Sequence, residues 1–196
     1  FTNIRFVIDD GEMVIAKRPV TIQVQNAGKV YGTPDPDPVT TGIITGGLVD
    51  EGDLGTITFR RTNLMEIVGT YERVLTADYT SNDNYAVTIE PGNFTITKSD
   101  ELRPILTPFE GTYDGQPHTI GVSANVTEGT TFTYSIDGGA TWLDTLPTWT
   151  DTVDGQEIMV KASNPNYEDS IATTTITIEA KEISITVDPA SKTYDE

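Results

Sequence analysis

An interval of 81 to 82 residues recurs along the chain and limits what the chain can fold into. The stretch TIQVQNAGKVYGT at 21–33 aligns without a gap with SITVDPASKTYDE at 184–196. Tyr31, Tyr113 and Tyr194 occupy the same point of successive repeats, 82 and 81 residues apart. Because repeats of this length indicate tandem structural modules, the 196 residues are predicted to form repeated small modules instead of one large domain.

Lysines at the ends of strand-like segments recur at a similar interval. Lys17, Lys98 and Lys181 each close such a segment, 81 and 83 residues apart. The opening FTNIRFVIDDGEMVIAK also resembles NDNYAVTIEPGNFTITK at 82–98. Four segments are therefore predicted: the terminal strands of a preceding repeat at 1–17, a first β-module at 18–98, a second β-module at 99–181, and the first strand of a following repeat at 182–196.

Apolar and polar residues alternate with a period of two in several stretches, which is typical of strands with one buried face. Turn signals containing glycine separate these stretches, among them PGN at 91–93 and VDG at 153–155. Only GGLVDEGDL at 46–54 could hold a short helix, and it lacks a helical apolar stripe. The predicted class is all-β or nearly so, with strands in the following segments: 20–24, 55–60, 93–98, 131–136, 174–180 and 182–187.

The connections between modules are short. One strand-like pattern ends at each of the three lysines and the next starts within a few residues, which leaves little slack between modules. We therefore expect an elongated, semi-rigid arrangement of small modules. The pattern leaves open whether each module is sandwich-like or β-grasp-like.

The charge balance excludes several classes of partner. A formal net charge of −18 and a pI near 4.1 argue against nucleic acid and anionic membrane surfaces as partners. The acidity favours a soluble, charged surface, and the alternative reading is binding of divalent cations. The chain has no cysteine, which argues against a disulfide-stabilised secreted domain and fits either a cytosolic protein or a Gram-positive surface protein. No apolar run is long enough to span a membrane, so no membrane contact is expected within the chain.

The first module carries recognisable motifs. The segments KRPVTIQV, KVYGTPDPDP, VGTYERV, NDNYAV and GNFTITK resemble the MBG domain of the YGX type, found in bacterial surface proteins. The second module, with TYDGQPHTI and NPNYED, is similar to related β-repeats of Gram-positive adhesins, although it has TYDG in place of VYGT and lacks the DPDP stretch. The resemblance implies repeated β-modules at the bacterial cell surface or cell wall, and it implies no catalytic residues.

Asp35 and Asp37 alternate with three prolines in TPDPDP, at 33–38. Proline restricts the backbone and stiffens this stretch into an extended loop. A rigid structural loop is the favoured interpretation, with a Ca²⁺ site as the alternative. Because Ca²⁺ takes six to eight oxygen ligands, two aspartates alone do not form such a site, and no cofactor is expected.

The stretch SIDGGATW at 135–142 fits the Asp-box pattern, with the following residues at its expected positions: Ser135, Asp137, Gly139, Thr141 and Trp142. This motif resembles structural hairpins of sialidases and other β-proteins, where it lies away from the active site. A hairpin staple is therefore predicted here, because an aspartate can accept bonds from the turn backbone. Stacking of a carbohydrate on Trp142 or on Trp149 is the alternative, with Trp149 the better candidate because it lies in a loop.

Tyr31, Tyr113 and Tyr194 recur once per module, which favours a structural role in which each ring is buried at a fixed corner of the module. Support for catalysis is weak, since the chain has one histidine, no cysteine and no nucleophile motif. We therefore do not expect an enzyme.

The sequence favours a non-enzymatic repeat segment of an extracellular bacterial surface protein, acting as a stalk or spacer for adhesion. Host mucin, other glycans or extracellular matrix would then be partners of the parent protein. The alternative is that the modules themselves bind host mucin glycans or a host protein. A weaker alternative is an accessory domain of a carbohydrate-active enzyme, which rests mainly on the Asp-box.

Overall fold

The fold contains only strands. The computed structural model describes residues 3, 5–7 and 10–194, and these residues form thirteen strands and no helix. The predicted all-β class is confirmed. The chain divides into two compact units, with the boundary between Thr97 and Lys98.

The first unit contains two sheets. Its strands are β1 (Arg18–Val24), β2 (Ala27–Val30), β3 (Gly42–Thr45), β4 (Thr58–Arg61), β5 (Gly69–Asp78), β6 (Tyr85–Glu90) and β7 (Gly92–Thr97). One sheet has the order β3-β1-β6 and the other has the order β2-β7-β5-β4. The pairs β1–β6 and β2–β7 are parallel, and the remaining pairs are antiparallel.

The second unit also contains two sheets. Its strands are β8 (Pro104–Thr107), β9 (Phe109–Thr112), β10 (Gly121–Ala124), β11 (Thr131–Ser135), β12 (Val153–Asn164) and β13 (Tyr167–Glu179). Strands β10 and β8 form a two-stranded sheet, and the other sheet has the order β11-β12-β13-β9. The pair β13–β9 is parallel.

The larger sheets of the two units have the same strand order. With the last strand β13 in the place of the last strand β7, the order β9-β13-β12-β11 repeats the order β2-β7-β5-β4, with the parallel pair at the same edge. The units differ in their last strand. Pro91 separates β6 from β7, because proline offers no N–H for a ladder, whereas β13 runs without interruption and also forms a parallel bridge between Tyr167 and Ser99.

Each unit is a β-sandwich with its own core. In the first unit, alternate residues of β1, namely Val20, Ile22 and Val24, are at most 4% exposed. They belong to one buried cluster with Leu75 of β5 and Phe94 of β7, which lie in the other sheet. The two sheets therefore share one apolar interior, as expected when one face of each sheet must be buried.

The core of the second unit follows the same rule. Ile158 and Val160 of β12 pack with Ile176 and Ile178 of β13, and all four are at most 2% exposed. A smaller buried cluster contains Leu102, Ala124 of β10 and Ala162 of β12. The alternation predicted at 174–180 thus corresponds to the inward and outward faces of β13.

One local expectation, a turn at the VDG stretch (153–155), differs from the structure, whereas the absence of a helix at 46–54 agrees with the predicted all-β class. Residues 46–54 form bends and turns with no helix, and Leu54 from this stretch is fully buried. The VDG stretch lies inside β12, where the register shifts between Val153 and Gln156 and Gly155 has a φ of 59°. The glycine therefore makes a bulge in a strand and not a turn between strands.

The expected terminal strands lie outside every sheet of the described chain. Residues 180–194 and 10–17 form no strand, and Ile183, Ile185 and Val187 are more than 80% exposed. A strand persists only where its backbone groups find hydrogen-bond partners, and the alternating pattern alone does not supply them. Part of both expected segments (residues 1, 2, 4, 8, 9, 195 and 196) lies outside the described residues.

Candidate functional site: the Asp-Pro loop of the first unit

The loop that follows β2 begins with a tight turn. Gly32 adopts a φ of 83°, a left-handed conformation that glycine reaches without steric cost. Thr33 then closes the turn, because its backbone N–H and its hydroxyl both donate to the carbonyl of Val30, at 3.1 and 2.7 Å. At the far end of the loop, the buried Thr40 donates through its hydroxyl to the carbonyl of Gln25 at 2.7 Å. The proline-rich stretch is thus fixed at both ends.

Asp35 joins an ionic cluster, which we define as Lys29, Asp35, Arg61 and Glu66. One oxygen of Asp35 lies 2.9 Å from Nζ of Lys29, and the other lies 3.0 Å from Nε of Arg61. Glu66 also accepts from both cations. The side chains of Lys29 and Arg61 are only 6% and 4% exposed, so each cation is covered and faces two carboxylates.

Lys29 and Glu66 of the ionic cluster stabilise each other in their charged forms. The hydrogen bond from Lys29 is the largest influence that lowers the pKa of Glu66, followed by the bond from Arg61. The bond to Glu66 raises the pKa of Lys29 and outweighs the opposing effect of burial. Formal charges cancel within the cluster, which is the condition under which covered charges are tolerated.

The ionic cluster rests on the core of the first unit. The guanidinium carbon of Arg61 lies 4.5 Å from the centre of the Phe94 ring, in a cation–π contact. Phe94 is fully buried. The cluster therefore connects the Asp-Pro loop and the segment after β4 to the interior of the sandwich.

A groove of about 530 Å³ runs beside the ionic cluster. The groove is lined by residues 35–39, residues 57–61 and Leu64. Leu64 is 78% exposed, so the groove combines a charged wall with an exposed apolar side chain.

The two aspartates proposed as metal ligands have different surroundings. Both oxygens of Asp35 face a cation, so a metal ion would have to displace Lys29 and Arg61. Asp37 is exposed. Among the described residues, no three histidine, aspartate or glutamate side chains are placed to hold a metal ion together.

The Asp-box stretch forms a closely bonded hairpin in the second unit. The carboxylate of Asp137 accepts from the hydroxyl of Ser135 at 2.7 Å and from the hydroxyl and N–H of Thr141 at 2.6 and 2.9 Å. The N–H of Gly139 donates to Ser135 at 2.8 Å. These bonds, led by that of the Thr141 hydroxyl, lower the pKa of Asp137 to about 2. Both oxygens of the carboxylate therefore accept hydrogen bonds within the turn.

The two tryptophans are partly buried. Nζ of Lys161 lies 4.7 Å from the centre of the Trp142 ring and covers one face of it. Trp149 packs against the core of the second unit. Its backbone exchanges two hydrogen bonds, of 2.8 and 2.9 Å, with His118. Both rings thus have packing contacts within the second unit.

The repeated tyrosines take equivalent positions in the two units. The N–H of Tyr31 donates to Thr97 at 2.9 Å, and the N–H of Tyr113 donates to Glu179 at 2.8 Å. In each unit, the bond joins the residue after the second strand to the end of the last strand. The rings differ in burial, since Tyr31 packs against the core whereas Tyr113 is 39% exposed, and Tyr194 is 87% exposed.

Sequence reasoning singled out Asp35 but missed its partners Lys29, Arg61 and Glu66. The three partners lie on separate strands and loops, and only the fold brings them to one aspartate. One signal was present in the sequence, since Lys29 aligns with Lys192 two residues before the repeated tyrosine.

Comparisons with known proteins bear mainly on the first unit. Residues 20–95 match the family described as MBG domain (YGX type). No curated protein matches the chain. The described chain contains no helix that could cross a lipid bilayer.

Two solved structures of Sidekick-1 are similar to the chain. The structure of immunoglobulin domains 1–5 shares 11% identity, with a TM-score of 0.28, and the similarity covers 80% of this chain and 39% of that one. Crystal form 1 of domains 1–4 also shares 11% identity, with a TM-score of 0.29, over 87% of this chain and 51% of that one. The chain thus spans only part of the length of either structure. Over residues 20–95, the first unit is matched by the MBG domain (YGX type), the family that its Tyr-Gly and Asp-Pro motifs predicted.

Proposed function

We propose that the chain is a non-enzymatic segment of an extracellular bacterial surface protein, in which tandem β-modules act as a semi-rigid spacer for adhesion. The observation that carries the proposal is the short joint between the units. Strand β7 ends at Thr97, and Ser99 already belongs to the second unit, since it donates to Asn166 at 3.1 Å and accepts from Glu168 at 2.8 Å. A single residue, Lys98, remains between them, and so short a connection restricts the motion of one module against the next.

The placement of aromatic residues also supports a spacer. Phe94, Tyr85 and Tyr134 are at most 8% exposed, and Trp149 packs on the second core. Binding modules that stack sugars or grip a partner place such rings on the surface. Here the rings named above are used for packing within each sandwich.

The chemistry of the described side chains supports a non-enzymatic role. The carboxylates of Asp35 and Glu66 are committed to ion pairs. The only histidine, His118, contacts Asp114 at 2.9 Å and stacks on the Phe109 ring at 4.3 Å between centres. General acid–base catalysis needs such groups to face a substrate, whereas these face each other.

The joint can be tested by distance measurements between the units. Since the chain has no cysteine, spin labels can be attached specifically to Glu72→Cys and Thr173→Cys, which are exposed positions of the first and second unit. Pulsed electron paramagnetic resonance should give a narrow distance distribution. The control inserts a Gly-Ser linker of six residues between Lys98 and Ser99 and should broaden it. Equally broad distributions for both proteins would overturn the spacer proposal.

The groove beside the ionic cluster favours a second candidate function, in which the first unit itself binds mucin glycans or a host protein. The test is a glycan and mucin screen of the whole chain, with and without Ca²⁺. If the groove binds, Leu64→Asp should abolish the signal. Val49→Asp is the matched control, because Val49 and Leu64 are both 78% exposed in the same unit. Absence of saturable binding under either condition would refute this second function.

A further inference from the structure

The outer edge of β4 carries backbone groups that no other strand bonds. Within the described chain, β4 is the last strand of its sheet and pairs with β5 alone. The N–H of Thr62, just after β4, donates to the carbonyl of Val74 at 2.8 Å. Because successive residues of an antiparallel pair alternately face the neighbouring strand and face away from it, the N–H and C=O groups of Phe59 and Arg61 point away from β5.

The groove beside the ionic cluster follows this edge. Its lining includes five consecutive residues, 57–61. Consecutive strand residues point to opposite faces of a sheet, so a groove that touches all five runs along the edge of β4 and not over one face. The Asp-Pro loop contributes Pro36 and Pro38 to the lining, and proline has no N–H to donate. The hydrogen bonds that a strand needs are therefore offered chiefly by β4.

The equivalent edge of the second unit is closed by its own chain. Strand β11 lies at the end of its sheet, as β4 does. Its Tyr134 exchanges two backbone hydrogen bonds with Leu143, at 2.9 and 2.7 Å, so the segment after β11 occupies that edge. An edge strand that stays open is a template for another chain, and β4 is such a strand.

The charges of the groove indicate which kind of chain it takes. Asp35 and Arg61 belong to the ionic cluster, and Arg60 pairs with Asp78 at 2.7 Å. Asp37 also lines the groove, is exposed, and has no such pair within the described chain. The groove thus carries an uncompensated negative charge on a chain of net charge −18, which repels a second copy and attracts a cationic segment.

We propose that the groove takes an extended, basic segment of a partner protein, which adds to β4 as a fifth strand of the sheet. The edge groups of Phe59 and Arg61 bond its backbone, Asp37 attracts a lysine or arginine, and the exposed Leu64 contacts an apolar side chain. Four residues of β4 correspond to a strand of about 13 Å. The inference rests on the second candidate function, binding by the first unit itself, and names a protein strand as the ligand.

Calorimetric titration of the full chain with a synthetic peptide tests this recognition. The probe is the capped peptide TKVKVT, in which basic and apolar residues alternate. Two variants replace the backbone N–H by an ester oxygen, either at both lysines or at both valines. Since alternate residues of an added strand direct their N–H groups at β4, one variant should bind at least fivefold more weakly than the other. Equal affinities of the variants, or no saturation by the probe at about 1 mM, would overturn the proposal.

Amide hydrogen exchange followed by nuclear magnetic resonance locates the added strand. Saturating peptide should slow the exchange of the Phe59 and Arg61 amides at least tenfold, because these amides face away from β5 in the free chain. The Arg60 amide already faces β5 and should change little. Protection at other strands without protection of Phe59 and Arg61 would show that the peptide does not add to β4.

A charge variant tests the role of Asp37. Asp37→Asn should weaken peptide binding at least threefold and reduce its dependence on salt, whereas Asp144→Asn, the same change at an exposed position of the second unit, should do neither. Equal effects of the two variants would refute recognition by Asp37. Saturable binding of mucin or a glycan without peptide binding would overturn the strand proposal and leave the second function standing, whereas failure of both kinds of ligand would overturn the two together.

Discussion

Replacement of Asp35 by asparagine should destabilise the first unit, because it removes one of the two carboxylates that face Lys29 and Arg61. The variant keeps the size of the side chain and removes its charge. Both cations are then left with Glu66 alone, although their side chains are only 6% and 4% exposed. A covered cation that loses a partner cannot recover the lost interaction from water.

The size of the effect follows from the burial of the partners. Removing one member of a buried ion pair costs about 3–5 kcal/mol, whereas exposed pairs contribute about 0–1 kcal/mol. The Asp35 side chain is 31% exposed and its two partners are covered, so we expect an intermediate loss of about 2–3 kcal/mol. For a domain of this size, that loss lowers Tm by about 8–24 °C.

Two spectroscopic signals can separate the units in this experiment. Both tryptophans, Trp142 and Trp149, lie in the second unit, so their fluorescence follows that unit alone. Far-ultraviolet circular dichroism follows both units. Asp35→Asn should lower the midpoint of one dichroism transition and leave the fluorescence midpoint in place. Asp37→Asn, the same change at an exposed position two residues away, is the control and should be nearly neutral. Equal effects of the two variants would refute the structural role of the ionic cluster.

Three further predictions concern the hairpin and the first core. Asp137 has a pKa of about 2 in the folded chain, against an ordinary value of 3.8. Its ionised form therefore contributes fully to stability above pH 3.8, and this contribution is lost as the pH falls through about 2. The difference in Tm between wild type and Asp137→Asn should shrink over that pH range, and a difference that stays constant would contradict the prediction. Phe94→Ala should cost about 3–5 kcal/mol in chemical unfolding because it empties the core beneath Arg61, and Phe94→Leu should cost clearly less. Gly28→Ala should cost about 1–3 kcal/mol, because its Cβ would lie 2.4 Å from the carbonyl oxygen of Thr95; an unchanged unfolding midpoint would show that β2 shifts without strain.

Alternation in the sequence predicted strands where one face is buried and the other is exposed. The stretch 20–24 reads apolar, polar, apolar and became β1, whose alternate residues are buried. The stretch 182–187 has the same pattern and lies outside every sheet of the described chain. The local sequence does not explain why one stretch forms a strand and the other does not, because a strand also needs a neighbouring strand to bond its backbone N–H and C=O groups. Alternation therefore indicates which face a strand would bury, and only the fold determines whether a partner is in reach.

The sequence indicated the loop that carries Asp35 but not the residues that surround it. The prolines around Asp35 indicated a stiff loop, and the Tyr-Gly motif marked its start. The sequence could not place Lys29, Arg61 and Glu66 around that aspartate, because their contact depends on how β2 and the end of β4 lie in one sheet with β5 and β7 between them. A local motif can indicate one residue of a site, but the residues that contact it are brought there by the order of strands in the sheet.

The parallel pairing of first and last strands has a mechanical consequence. A tensile force along the chain pulls β1 toward its start and β7 toward its end, so paired strands would have to slide past each other along their length. Six residue pairs between β1 and β6 and four between β2 and β7 bear that force together, whereas a hairpin pulled from its open end unzips one pair at a time. The parallel pair β13–β9 gives the second unit the same shear geometry. A chain built this way should resist stretching far better than its modest cores alone would suggest.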